Sequence, residues 1–187
     1  MRVIGGKFKG KKLIEPKDKE TRPLKDLTKE SIFNIIHHSN KFSINIKKAQ
    51  VLDLFSGIGS FGIECLSHGA SHVTFIEKYE AVLPILKKNL NNLKSEISYE
   101  IIESDILNKF EFKSLKISYD LIFLDPPYKE RALENILKKI FESKILSNNG
   151  IIIIHRHRKE LDIFPKNFHL IDEKIYGISK IIFGACS

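Results

Sequence analysis

The sequence contains little that could cross-link, chelate or anchor. Cysteine occurs twice, as Cys65 and Cys186, too far apart for a CxxC pair and with no cysteine–histidine cluster around either. This excludes a disulfide scaffold and a zinc ribbon, and predicts two reduced thiols and no metal. No apolar run is longer than Ile151–Ile154, far below the ~20 residues a helix needs to cross a bilayer. The opening Met1–Lys7 has no apolar stretch of signal-peptide length, so the expected location is cytoplasmic, with no membrane partner. Repeats and low-complexity linkers are missing too. A length of 187 residues then predicts one domain with a sizeable core.

Positive charge is in excess: 31 lysines and arginines against 23 acids, a formal net charge of +8. Such an excess suits a polyanionic partner whose phosphates Lys and Arg neutralise. A chain rich in Lys, Ile and Asn also reaches this figure through an AT-rich gene alone, so placement is more informative than the total. Lys7, Lys9, Lys11 and Lys12 crowd one short segment, with Arg2 ahead of them. Phe8 lies among them as a group that either stacks on a partner or packs on the domain.

Gly5-Gly6 and Gly10 punctuate residues 1–20 and predict turns between short extended pieces. Residues 24–38 have helical periodicity, with Leu27, Ile32, Phe33, Ile35 and Ile36 on the apolar face. From Val51 onward strands and helices alternate. Val51–Phe55, His72–Ile76, Tyr99–Ile102, Asp120–Leu124 and Gly150–Ile154 have the composition of buried parallel strands. Helices are predicted between them at 60–68, 79–94 and 130–143. Pro84 requires the second of these to start late or kink. His169–Ile175 and Lys180–Phe183, around Tyr176-Gly177-Ile178-Ser179, form a hairpin signal. The whole predicts a doubly wound α/β sheet with ligands at the carboxyl ends of its strands.

The first of these strands leads into Asp53-Leu54-Phe55-Ser56-Gly57-Ile58-Gly59, and Gly57, Gly59 and Gly62 fit G-x-G-x-x-G. Glycines there let the backbone turn sharply and approach a ligand. Glu77 follows the next strand, where a carboxylate can bind ribose hydroxyls. Alone, this pattern fits a dinucleotide site or a tight turn equally well. Asp53 tips the balance, because a carboxylate inside a buried strand needs a donor. The ammonium of a methionine moiety is one candidate, and a structural lysine is the other. Asp105, just beyond Tyr99–Ile102, is a third acid at a strand end, or simply a turn-capping residue.

The most specific segment is Tyr119–Leu124 running directly into Asp125-Pro126-Pro127-Tyr128. Two prolines fix the backbone and cannot extend the strand ladder. The Asp125 carboxylate and the Pro126 carbonyl can both accept hydrogen bonds at this rigid exit, and Tyr128 can stack on a planar base. An exocyclic base amine is a poor nucleophile because its lone pair is delocalised into the ring. Two acceptors on its N–H groups draw the nitrogen toward tetrahedral geometry and expose that lone pair to a methyl donor held in line. A nicotinamide oxidoreductase would leave Asp53 and Asp125 to Tyr128 unexplained. A protein-glutamine methyltransferase would have Asn before the prolines.

These motifs together resemble bacterial 16S ribosomal RNA guanine-N2 methyltransferases of the RsmD type. The resemblance spans nearly the whole chain, from Arg2–Leu13 through Thr21-Arg22-Pro23, Lys29–Asn34, the Asp53–Gly59 loop and Asp125–Tyr128 to Tyr176-Gly177. It implies a class I S-adenosylmethionine methyltransferase with a seven-stranded sheet, helices on both faces and the last strand antiparallel. Residues 1–40 would form an RNA-binding extension, a basic hairpin and a helix, on a catalytic core at 41–187. Asp53, Phe55, Gly57 and Gly59 would hold the methionine part of the cofactor, Glu77 the ribose and Asp105 the adenine amine. Asp125, Pro126, Pro127 and Tyr128 would hold the guanine. Arg2, Lys7, Lys9, Lys11, Lys12 and Arg22 would meet 16S rRNA in a small subunit or assembly intermediate, with the enzyme acting as a monomer. Adenine-N6 DNA methyltransferases share the Pro-Pro-aromatic motif, but the short chain has no DNA-recognition domain and its opening points to rRNA. A non-catalytic RNA-binding protein has no use for both Asp53 and Asp125. The sequence departs from the family at Leu24, Asp26 and Leu27, and at His155-Arg156-His157-Arg158, where an acid is expected. The latter is either a solvated strand end or a phosphate contact.

Overall fold

The structure, a computed structural model, describes residues 1–16, 24–127 and 132–186. Arg22, Tyr128 and the start of the helix expected at 130–143 lie outside the described residues. One sheet contains β1 (Gln50–Leu54), β2 (His72–Glu77), β3 (Tyr99–Glu103), β4 (Tyr119–Leu124), β5 (Leu146–His157), β6 (Phe168–Tyr176) and β7 (Ser179–Cys186). Its order is β3-β2-β1-β4-β5-β7-β6. β1 to β5 are parallel, and β7 lies antiparallel between β5 and β6. The strand order reverses between β1 and β4, so the loops leaving their carboxyl ends flank the crevice where such sheets bind ligands.

Strand periodicity divides the core in two. Val51, Phe75, Phe123, Ile153 and Phe183 pack on one face with α1 (Asp26–His38), α2 (Ser60–Ser67) and α3 (Leu83–Asn91). Leu52, Ile76, Ile122, Ile152 and Ile182 pack on the other with α4 (Leu133–Glu142). Phe61 of α2 stacks on Phe123 of β4, with ring centroids 3.9 Å apart. Pro84 sits in the first turn of α3, where its missing N–H costs nothing, so this helix starts late and is not kinked.

One expectation needs correction, and one open choice is resolved. On α1, Ile32, Phe33 and Ile36 face inward, but Leu27 is 78% exposed while Lys29 is fully buried. Helical geometry separates positions 27 and 29 by about 200°, so turning Lys29 inward turns Leu27 out. Phe8 is buried in the core and is a packing group, not a stacking surface. The basic opening is a short antiparallel loop. Val3 donates to the Lys11 carbonyl and Leu13 to that of Met1, around a 3-10 turn at Gly6–Phe8. Among the described residues no helix is long and apolar enough to cross a membrane.

Candidate active site

Asp53 lies within β1, its side chain 1% exposed. Its Oδ2 accepts from the Gly62 amide in the first turn of α2 at 2.9 Å. Among the described residues no lysine or arginine forms an ion pair with it, so none of them is the structural lysine that the alternative reading needs. Burial pushes its pKa up to about 8 against the pull of the Gly62 amide, and the nearby carboxylates of Asp125 and Glu77 push the same way. Without a cationic ligand this group keeps its proton at neutral pH. Gly62 must be small as well: a Cβ there would lie 2.3 Å from the Phe75 ring.

The loop between β1 and α2 carries three positive φ angles, 61° at Phe55, 55° at Gly57 and 81° at Gly59. The glycines adopt this region freely. For Phe55 it is a strained conformation, costing about 1–3 kcal/mol, of the kind that collects at ligand sites. Glu77, at the end of β2, secures the loop. Its Oε2 accepts from the Gly57 amide at 2.7 Å, and Oε1 accepts from the Lys78 and Tyr79 amides at 2.8 Å each. Asp105 accepts from the Leu107 amide, from the Asn108 side chain and from Lys78 at 3.3 Å. Slight burial works to raise its pKa, but the Asn108, Leu107 and Lys78 contacts outweigh this and hold it below the usual carboxylate range. Its visible contacts are those of a turn-capping residue at the carboxyl edge of the sheet.

Asp125 follows Leu124, which is in register with Leu54 of β1 and Ile154 of β5. The motif thus leaves the sheet between the glycine loop and the end of β5. Pro126 is buried and Pro127 exposed. The Asp125 Oδ1 lies 2.8 Å from His155 Nδ1, and His155 Nε2 lies 2.9 Å from the Ser179 hydroxyl. Arg156 donates to the Pro127 carbonyl at 3.4 Å and to Asp162 at 2.8 Å. Lys180 pairs with the other oxygen of Asp162 at 3.0 Å. His155 and Arg156 are buried, so those two are neither a solvated strand end nor a phosphate contact, whereas His157 is half-buried and Arg158 exposed. Asp125 and Pro127, which His155 and Arg156 meet, lie some thirty positions away in sequence, and the local sign of this contact is a strand of isoleucines ending in His-Arg.

The basic residues are spread along α2. Arg2 and Lys12 pair near its amino end. There Lys29 joins the Arg2 carbonyl at 2.8 Å to Ser60 at 3.4 Å, beside the glycine loop. Lys7 lies at the other end, donating to Ser95 at 2.5 Å. Lys9 and Lys12 are exposed and Lys11 is half-buried. Glu64, which belongs to no sequence motif, and Lys29, which opens the Lys29–Asn34 segment, hold the basic opening in place: Glu64 accepts from the Ile4 and Gly5 amides and pairs with Lys29 at 3.0 Å. A cavity of about 700 Å³ opens at the amino ends of β1, β2 and β4, the edge of the sheet opposite these acids.

A family model described as Conserved hypothetical protein 95 matches residues 1–185. The Ribosomal RNA small subunit methyltransferase D of Haemophilus influenzae is 34% identical over 179 residues, covering 95% of this chain and 90% of its own. The Putative rRNA methyltransferase YlbH of Bacillus subtilis is 32% identical over 183 residues, with coverages of 97% and 96%. Among solved structures, the Putative methyltransferase yhhF from Escherichia coli has a TM-score of 0.82 at 30% identity, covering 100% of this chain and 98% of that one.

Proposed function

The chain belongs to the Conserved hypothetical protein 95 family and has the class I methyltransferase fold, and from that premise we propose that it methylates the N2 amine of a guanine in 16S ribosomal RNA, using S-adenosylmethionine. The observation that carries this reading is a fully buried carboxyl, Asp53, without a cationic partner among the described residues, at the crevice that Asp125 also borders. That pairing fits a ligand ammonium on one side and an acceptor amine on the other.

S-adenosylmethionine, when bound, supplies an electrophilic methyl group on a sulfonium. Asp53 accepts from its ammonium, with Phe55, Gly57 and Gly59 shaping the loop around the methionine part. Glu77 takes the ribose hydroxyls and Asp105 the adenine amine. Oε2 of Glu77, with a single amide bond, keeps accepting capacity, whereas Oε1 already accepts two. Asp125 and the Pro126 carbonyl accept the N–H groups of guanine N2, and Tyr128 stacks on the base. Acceptors aimed at the nitrogen stabilise the charge that develops on it as the methyl arrives. Arg2, Lys9, Lys11, Lys12 and Arg22 contact rRNA phosphates of the small subunit or its precursor, with Lys7 at the margin of the surface that the described ones form.

The test is transfer of labelled methyl from S-adenosylmethionine to unmethylated small ribosomal subunits, followed by nucleoside analysis. Label in N2-methylguanosine supports the proposal. Label in adenosine or in protein only, or no label, rejects it.

A further inference from the structure

We propose that His155 is a positioning residue for the acceptor motif, its imidazole fixing the orientation in which the Asp125 carboxylate meets the substrate amine. This rests on the acceptor-binding role proposed for Asp125 above. The strand register brings the two together. Leu124 is opposite Ile154, so the next residues along, Asp125 and His155, are lateral neighbours at the carboxyl edge. On the other side His155 is opposite Ile181 of β7, two residues from Ser179.

The hydrogen bonds place one imidazole proton. A carboxylate oxygen accepts, so the 2.8 Å contact with Asp125 Oδ1 assigns a proton to Nδ1. Nε2 lies 2.9 Å from the Ser179 hydroxyl, within hydrogen-bond distance. His155 is 6% exposed and Ser179 7%, so water competes weakly for either bond. The terminal torsion of an aspartate is broad and roughly two-fold. Committing one oxygen to a buried N–H removes that freedom and leaves Oδ2 as the oxygen presented to the amine. The next residue restrains the motif at its other end. Arg156, anchored on Asp162 at 2.8 Å, reaches the Pro127 carbonyl at 3.4 Å. The end of β5 therefore braces both Asp125 and Pro127, and the rigidity of the motif comes from β5 as well as from its two prolines.

The test uses two amide replacements in the full chain. In His155→Asn the amide nitrogen falls near the position of Nδ1; in His155→Gln it falls near that of Nε2. His155→Asn should keep kcat within about threefold of wild type, and His155→Gln should lower it about tenfold or more, as small misplacements of a reacting group do. KM for the RNA and the Kd for S-adenosylmethionine should stay unchanged in both. In an Asp125→Asn background, His155→Gln should add no further loss. Equal losses in the two variants, or undiminished kcat in His155→Gln, overturn the inference while leaving wild-type methyl transfer, and the functional reading, intact. A second measurement needs no turnover. The imidazole 15N spectrum of the folded protein should show His155 protonated at Nδ1 and shifted by Asp125→Asn; protonation at Nε2 alone overturns the inference even if the chain transfers no methyl group.

Discussion

Asp53 keeps its proton to about pH 8 because burial disfavours its charge and Asp125 and Glu77 repel it. An ammonium ligand reverses that preference, so binding must release a proton. Affinity for S-adenosylmethionine should therefore rise from pH 6 toward 8, by up to about tenfold per pH unit, and then level off. Calorimetry in buffers of different ionisation enthalpy reads the released proton directly, and Asp53→Asn should remove both the pH slope and most of the affinity. A pH-independent wild-type affinity contradicts this. Asp53 also affects stability without ligand. An acid whose folded pKa is raised favours folding fully below its unfolded value of 3.8, and that contribution is lost as pH rises toward 8. Asp125 is proposed to act on the other substrate. Asp125→Asn should bind S-adenosylmethionine like wild type and lose about 10²–10³-fold in single-turnover transfer; undiminished transfer removes Asp125 from the reaction.

The N-terminal loop and α1 are held against α2 by a buried ion pair. Lys29 and Glu64 are 0% and 1% exposed, and Glu64 also caps the Ile4 and Gly5 amides. Lys29→Met would leave a buried carboxylate without its cation and should cost about 3–5 kcal/mol in a urea melt. The Ile4 and Gly5 amides should lose hydrogen-exchange protection ahead of β1 and β4. Glu64→Leu in the same chain should recover part of the loss, because the uncompensated charge is then gone. A neutral Lys29→Met would mean that the segment is held by its apolar contacts alone. The elements themselves were largely legible in the sequence. Strand periodicity located β1 to β5, and Pro84 marked the first turn of α3. The face of α1 was not, because Lys29 is buried by a partner on another helix and no local pattern encodes that pairing. β5 continues to His157 because Asp125, Ser179 and Asp162 satisfy its polar end.

The whole molecule carries a net charge of +8, and its opening residues run along α2 from the edge with Asp53 and Asp125 to the opposite edge. Replacing Lys7, Lys9, Lys11 and Lys12 by Gln should flatten the salt dependence of small-subunit binding by ~0.7–0.9 in log–log slope for each phosphate no longer neutralised. S-adenosylmethionine affinity should not change. Lys12 should contribute more than Lys7, which lies at the far end of the segment; an unchanged slope makes the cluster ordinary surface charge. The sequence made the motif residues of the candidate site readable, since Asp53, Glu77 and Asp125 each stand at or next to the end of a strand. It did not reveal the brace formed by His155, Arg156, Asp162 and Ser179, which depends on register between strands distant in sequence. The proposed function makes this edge of the sheet one site for methylating guanine N2 in 16S rRNA. The most direct measurement is mass spectrometry of 16S rRNA nucleosides from cells lacking the gene, complemented with wild-type chain or with Asp125→Asn. One N2-methylguanosine should return with the wild-type chain and not with the variant. A 16S rRNA whose N2-methylguanosine content is the same in all three contradicts it.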